Sequence, residues 1–404
     1  MDALKSKRIG IVGGGMVGLL AGVVLAKKLE GRADVTVFDA QDYPEHNRLP
    51  QPSFDDRSTA LSYSTLELFA RYELSPLIED ACVINTIHVS NKGRFGSTVL
   101  RASEMGWCQL GAVIENKVLG SRLLEQARRS PLSLQAPVKV NALSFKQDGV
   151  VLQDQVGGTH RLDCVVVADG VDSVLARSLG LRESRKTYST SALVANVATA
   201  RPHDECAFER FGPDGPMALL PLNALAGKYR SALVWTGPTE RLEALQQGAE
   251  SDFCEALQRH FGYRLGRIER VGARTLYPLV MMHRAEQVRS RLVVLGNAAH
   301  TLHPVAGQGF NLSVRDINAL AEVLSVCVDA NNFTMASLCQ YQTRRDIDQR
   351  RTLYASDLLP ALFQKSGVVA EGRDLLLRLM DFVPPARRRF VEIAAGTLGE
   401  SEYV

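Results

Sequence analysis

The chain has 404 residues, 46% hydrophobic and 23% charged, with a formal net charge of +3. That length allows two or three domains, or one discontinuous pair, and the near-neutral balance gives no electrostatic footprint for nucleic acid. No run of 18 apolar residues occurs, so no transmembrane helix is expected, and the short polar start before the first strand argues against a signal peptide.

Ile9 to Val12 reads as a buried parallel strand. In the turn after it, Gly13, Gly15 and Gly18 fit the G-x-G-x-x-G spacing. The glycines let the backbone approach a phosphate closely. The helix that follows, from Met16 to about Leu29, aims its dipole and free N–H groups at that phosphate. A second strand, Val35 to Phe38, ends in Asp39, where an acid accepts hydrogen bonds from a ribose. Strand, turn, helix, strand and acid in this order predict a dinucleotide site. NAD, NADP and FAD all remain open at this point.

After a polar loop from Gln41 to Pro52, helical spacing predicts a helix from Ser58 to about Tyr72. Arg57, just before it, is a surface partner of Asp55 or Asp56, or a cation over dinucleotide phosphates; the residues alone favour the first. Alternation from Val83 to Leu100 with a turn at Asn91-Lys92-Gly93 predicts a hairpin. A helix is predicted from Val113 to about Arg129, with Leu119, Leu123, Leu124 and Ala127 on one face and Arg122 beside them. Val138 to Asp163 reads as an antiparallel meander turning at Gly157-Gly158. It leads into an apolar strand, Cys164 to Ala168, that ends in Asp169-Gly170, either a ligand-edge acid or a simple turn.

From about Thr187 to Pro278 short alternating strands dominate, interrupted by one amphipathic helix from Glu240 to Phe261. A mostly antiparallel sheet is expected there. Its apolar residues, including Phe208, Phe211, Met217, Leu219, Leu220 and Trp235, are ordinary core or the wall of an apolar pocket, and core is the commoner outcome. A third apolar strand, Leu292 to Leu295, runs into Gly296-Asn297. A loop with His303-Pro304 and Gly307-Gln308-Gly309 then precedes a helix expected to start at an Asn311 N-cap. His300 and His303 have no acid or cysteine cluster beside them, so no metal site is expected. The seven scattered cysteines, never spaced C-x-x-C, suit free thiols in a reducing cytoplasm. Arg344 to Arg351 reads as the solvated face of a helical tail. The basic, apolar-sided end beyond it is either a packed helical pair or a contact with an anionic membrane.

Three apolar strands thus end at ligand-type turns: Gly13 to Gly18, Asp169-Gly170 and Gly296-Asn297. In this order and spacing they resemble the FAD-dependent aromatic hydroxylases, the group A flavin monooxygenases, over nearly the whole chain. Gly296 to Leu312 is similar to the ubiquinone-biosynthesis hydroxylases. So is Ala207-Phe208-Glu209-Arg210-Phe211 with Gly215-Pro216 and Leu220-Pro221-Leu222. Among them the branch acting on 2-polyprenyl-6-methoxyphenol shares the Gly-Asn form of the usual Gly-Asp motif.

The resemblance implies an α/β fold. A discontinuous Rossmann-like FAD-binding domain would take residues 1–82, 106–184 and 286–350, and an inserted, mostly antiparallel β-sheet substrate domain residues 83–105 and 185–285. Residues 351–404 would form a C-terminal helical segment. FAD would rest on Gly13, Gly15 and Gly18, with Asp39 on its ribose and Arg57 and Arg122 along it. Asp169, Gly296 and Asn297 would meet its middle, and Pro304, Gly307, Gln308, Gly309 and Asn311 would line the isoalloxazine ring. The arginine that follows the family's Asp-Gly motif is Ala176 here, with Arg177 one place late.

The implied reaction hydroxylates the ring of a polyprenyl phenol in ubiquinone biosynthesis, using O2 and NAD(P)H, a transient reductant, through a flavin C4a-hydroperoxide. His303 is the one candidate for a phenol-activating base, and Phe208, Phe211, Leu220 and Trp235 would wall the pocket. Implied partners are the polyprenyl phenol, O2 and other ubiquinone-biosynthesis proteins, at the cytoplasmic face of the inner membrane. The rival readings are a prenyl reductase or epoxidase of the same fold, an NAD(P)-dependent dehydrogenase, and a non-catalytic flavin-binding scaffold.

Overall fold

The computed structural model describes residues 6–43, 57–93, 97–212, 215–302 and 307–364, with short stretches at 388–389, 391–392 and 395–397; the side chains of 359–364 lie outside it. The α/β class expected from the sequence is what it shows. Six strands form the first sheet, in the order Val288–Arg289, Leu292–Val294, Cys164–Val167, Lys7–Val12, Ala33–Phe38 and Leu132–Gln135. All pairs are parallel except the first. Ile9, Ile11, Val165, Val166 and Val293 are fully buried, as expected of parallel strands covered on both faces. Helices Met16–Lys28, Asn116–Arg129 and Gln308–Asp329 cover one face. The meander of Val140–Lys146, Gly149–Asp154 and Thr159–Leu162 covers the other.

From the first strand the chain moves to Ala33–Phe38 on one side and later to Cys164–Val167 on the other. This reversal of strand order opens a crevice at the carboxyl ends, where sheets of this kind bind ligands. Register places Phe38, Val12, Val167 and Val294 in one row across the sheet. The three glycine- and acid-bearing turns therefore leave the sheet side by side.

A small antiparallel sheet joins Ser58–Ser62, Gly111–Glu115 and Cys82–Ile84. Here two sequence expectations fail at their starts. Ser58–Ser62 and Gly111–Glu115 are strands, and the helices begin only at Tyr63 and Asn116. Each strand finds its partner about fifty residues away, so pairing overrides a local spacing that suits either state.

The largest sheet runs His300–Thr301, Thr275–His283, Ser184–Thr199, Lys228–Pro238, Met217–Leu225, Cys206–Phe211, Thr86–Asn91 and Ser97–Arg101, with Ile268–Val271 on Ser184–Thr199. All its pairs are antiparallel except Cys206–Phe211 with Thr86–Asn91. Its covering helix, expected as one, is two, Thr239–Gln247 and Glu250–Phe261, parted at Gly248.

Side chains alternate across this sheet. Leu193, Met217, Leu219, Leu233 and Trp235 pack on Leu242, Phe253, Leu257 and Phe261 of the two helices. Ala207, Leu222 and Ala232 point the other way, onto Ile84 and Val113 of the small sheet. That second face is therefore turned toward the dinucleotide-type domain. Glu115 fixes the contact, bonding Arg230 at 3.1 Å and Asn196 at 3.3 Å.

Candidate functional site

The site grows from the row of strand ends. Gly13, one step past Val12, has φ of +104°, and a Cβ there would lie 2.4 Å from the Ala168 carbonyl oxygen. A Cβ on Gly18 would lie 1.8 Å from the Gly13 carbonyl oxygen. Both positions need glycine for close packing of turn, helix and neighbouring strand. Gly15 is the N-cap of helix Met16–Lys28, whose first turn carries no acid, so its N–H groups form an unblocked anion site. Asp39 closes the turn from the next strand. Its Oδ2 accepts the Gly14 N–H at 2.5 Å and the Tyr43 hydroxyl at 3.0 Å, and its Oδ1 accepts the Gln41 N–H at 2.7 Å.

On the other side of the crevice stand Asp169 and Gly296-Asn297. The Oδ1 atom of Asp169 is buried and has no hydrogen-bond partner. Burial pushes this carboxyl above its ordinary value, opposed by a hydrogen bond from Ser173. An unpartnered acceptor at the ligand edge suits the hydroxyls of a ribityl chain. Gly296, with φ of +63°, lies against the first helix; a Cβ there would sit 2.8 Å from Val17 Cγ1. Asn297 is exposed beside it. The structure thus brings together Gly13, Gly15, Gly18, Asp39, Asp169, Gly296 and Asn297, and the cradle fits a dinucleotide.

Helix Gln308–Asp329 supplies a second dipole. Its N-cap is Gly307 in the left-handed region, φ +61°, where an added Cβ would lie 3.1 Å from Ala60 Cβ. A Cβ on Gly309 would meet nothing within 4 Å, so this first turn is open on one side. The expected N-cap at Asn311 is corrected: Asn311 lies inside the first turn and is buried. Its Oδ1 accepts from the Ser62 N–H at 2.9 Å and the Thr65 hydroxyl at 2.8 Å. Its Nδ2 donates to Ala60 O at 2.8 Å and Gly307 O at 2.9 Å. Both amide hydrogens and both lone-pair sites are used, so the side chain clamps helix to strand and leaves any cofactor contact to the backbone. His303 and Pro304 lie outside the described residues.

Arg57 stacks its guanidinium 4.7 Å above the Tyr277 ring, and its carbonyl accepts the Asn116 N–H at 2.8 Å. It therefore links the start of helix Asn116–Arg129 to the large sheet. Arg122 Nε donates to Asp80 at 3.0 Å and its guanidinium contacts Glu79 at 3.3 Å, so it pairs with the segment before Cys82.

The expected pocket is corrected in part. Phe208 meets Phe261 edge-on at 5.5 Å, and Trp235 meets Phe253 at 6.4 Å, so both belong to the helix-covered core. Strand alternation puts Phe211 and Leu220 on the opposite face, with Ala207.

Sequence reasoning missed one polar cluster altogether. His300, four residues past Gly296, places Nε2 2.5 Å from Asp316 Oδ2. Arg345 Nε donates to Asp316 Oδ1 at 2.6 Å, and Arg315 Nε to Asp348 at 2.8 Å; Arg345 also contacts Asp348. Arg345, read as part of a solvated face, is buried. Although burial pushes the Asp316 carboxyl up, Arg345 and His300 hold it well below the usual carboxylate range. No local pattern links these positions; only the paired Arg315-Asp316 on an apolar helix hinted at buried charge.

Among the described residues, no group of three His, Cys, Asp or Glu side chains could hold a metal, and no helix is long and apolar enough to cross a membrane. Residues 7–350 match the family described as the FAD binding domain. The chain is 33% identical over 394 residues to ubiquinone hydroxylase UbiL of Rhodospirillum rubrum, covering 96% of this chain and 89% of that one. It is 30% identical over 369 residues to 3-demethoxyubiquinol 3-hydroxylase of Escherichia coli, covering 89% and 90%. Its fold is similar to p-nitrophenol 4-monooxygenase PnpA of Pseudomonas putida, with a TM-score of 0.78 at 18% identity over 96% and 98% of the two chains. The chain belongs to the family of FAD-dependent aromatic hydroxylases that includes the ubiquinone-biosynthesis enzymes.

Proposed function

We propose that this monooxygenase hydroxylates the ring of a polyprenyl phenol, 2-polyprenyl-6-methoxyphenol, with O2 and with NAD(P)H as a transient reductant. The observation that carries the reading is a dinucleotide cradle joined, through the small sheet and the Arg57–Tyr277 contact, to a large sheet whose face on that side is apolar. Reduced FAD supplies the activation of O2, chemistry that no side chain provides. Gly13, Gly15 and Gly18 hold the pyrophosphate at the helix start, and Asp169 takes a hydroxyl on its unpartnered oxygen. The start of helix Gln308–Asp329 favours negative charge at the ring.

On the sheet, Ile87, Val89, Val194, Ala218, Leu220 and Val234 are half-buried on the cofactor side. Such a strip suits an aromatic ring with an apolar tail and excludes water from the reacting oxygen. The names of the Rhodospirillum and Escherichia relatives support a quinone-precursor substrate, and Gly296-Asn297 supports the 6-methoxyphenol branch.

In this reading residues 1–82, 106–184 and 286–350 bind FAD, 83–105 and 185–285 bind substrate, and 351–404 form the helical end. The pairing of Thr86–Asn91 with Cys206–Phe211 supports that division. A membrane-dissolved substrate favours a cytoplasmic protein that touches the inner membrane and works beside other ubiquinone-biosynthesis proteins.

The test is NAD(P)H oxidation by the FAD-loaded protein, stimulated by the short-chain phenol, with 18O2 and product analysis. One labelled oxygen on the ring is expected. Stimulated oxidation that leaves the ring unlabelled would overturn the reading in favour of a reductase or epoxidase.

A further inference from the structure

The cofactor-side face of the large sheet carries an acid. In strand Cys206–Phe211, Ala207, Glu209 and Phe211 share one face, opposite Phe208 on the helix core. Register sets Val89 beside Glu209 on one side, and Ala218, Val234 and Val194 in turn on the other. All five residues of this row are half-buried. In the next row on one side Ala207 and Ala232 pack on Ile84 and Val113 while Ile87 and Leu220 stay half-buried, and in the row on the other side Tyr277 lies beneath Arg57. The row is therefore a half-buried stretch of small apolar side chains on the face opposite the two helices, and Glu209 is its ionisable member. Among the described residues it has no hydrogen bond and no ion pair.

We infer that Glu209 accepts the phenolic proton of the substrate. The inference rests on the proposed hydroxylation, which needs an electron-rich ring. The substrate O–H bond breaks with its electron pair left on the phenol oxygen, and the proton forms a new O–H bond on the Glu209 carboxylate. The phenolate pair then conjugates with the ring and raises electron density at the ortho and para carbons. The proton passes to water when product leaves. The charged groups bordering the row are Arg57 and the Glu115–Arg230 pair, yet burial alone moves Glu209, pushing its carboxyl above its ordinary value. That makes it a stronger base than an exposed glutamate.

Glu209→Gln and Glu209→Asp in the FAD-loaded full chain test this, with short-chain 2-polyprenyl-6-methoxyphenol as substrate. E209Q is expected to keep stoichiometric FAD and a KM within a few-fold of wild type, while kcat falls about 10²–10⁴-fold, the range of a lost general base. The acid limb of the wild-type kcat–pH profile is expected to vanish in E209Q and to return, displaced, in E209D. A carboxyl raised by folding adds stability at low pH that is lost as pH rises, so its ionised form opposes folding at neutral pH. E209Q is therefore expected to melt no lower than wild type at pH 7. Wild-type kcat with an unchanged acid limb in E209Q would overturn the assignment, and so would loss of FAD with a lowered Tm, which marks a structural role. Absence of ring hydroxylation by the wild type would instead remove the reading on which the inference rests.

Discussion

Asp316 accepts a 2.6 Å hydrogen bond from the Arg345 guanidinium in the protein interior, where neither residue meets solvent appreciably. Through His300, on the other oxygen of Asp316, this pair ties the Gly296-Asn297 strand end to the two long C-terminal helices. Removing one partner strands the other charge, so Arg345→Met is expected to cost about 3–5 kcal/mol. Denaturant melts of the FAD-free protein measure that loss, and equilibrium dialysis should show weaker FAD binding as the strand end loosens. A variant as stable as wild type would show the pair to be dispensable.

Acid stability follows from the same cluster. Asp316 and Asp348 are both held below their ordinary values in spite of burial, by Arg345 with His300 and by Arg315 with Arg345. A carboxyl depressed by folding adds stability that is present above its unfolded pKa of about 4 and lost as pH falls through the folded value. Stability should therefore decline steeply below about pH 4. Asp348→Asn should flatten that decline and lower stability at neutral pH, read from Tm against pH.

Three glycines separate packing from cofactor contact. Gly18→Ala forces a Cβ to 1.8 Å from the Gly13 carbonyl oxygen and should cost about 1–3 kcal/mol of overpacking together with FAD. Gly15→Val, at the N-cap itself, should abolish FAD retention. Gly309→Ala adds its methyl to open space in a helical first turn. It should leave the FAD-free protein as stable as wild type, or up to about 1 kcal/mol more stable, while weakening FAD binding. Flavin absorbance per protein after gel filtration reads all three.

The two faces of the large sheet should respond to opposite changes. Trp235→Ala empties the helix-covered core and should cost about 3–5 kcal/mol, and Phe208→Ala, half-buried against that core, should cost less, with KM for the phenol little altered in folded enzyme. Ala218→Leu and Val234→Phe narrow the cofactor-side strip and should raise KM several-fold with Tm nearly unchanged. A KM effect from Phe208→Ala larger than that from Ala218→Leu would reverse the assignment of faces.

The cofactor end of the fold was legible because its signals are local. A glycine turn, an acid at a strand end and an apolar run each sit within a few residues of the next, from Ile9 to Asp39 and again at Cys164 to Gly170. The rest depends on distant partners. Ser58–Ser62 is a strand only because Gly111–Glu115 pairs with it. Asn311 clamps Ser62 and Ala60 from about 250 residues away, so its N-cap chemistry in isolation misled. Phe208, a large aromatic in an alternating strand, gave no sign of which face a later helix would cover. Arg345 sits in a basic run that reads as solvated until Asp316 is folded against it.

Because Phe208 and Glu209 are adjacent and point to opposite sides, the length of strand Cys206–Phe211 matters more than its composition. Losing one residue ahead of them would shift the frame, carrying the phenyl ring into the reaction chamber and the carboxylate into hydrocarbon. Conservative replacements along this strand should be survivable one at a time, whereas a single deletion should abolish folding and catalysis together.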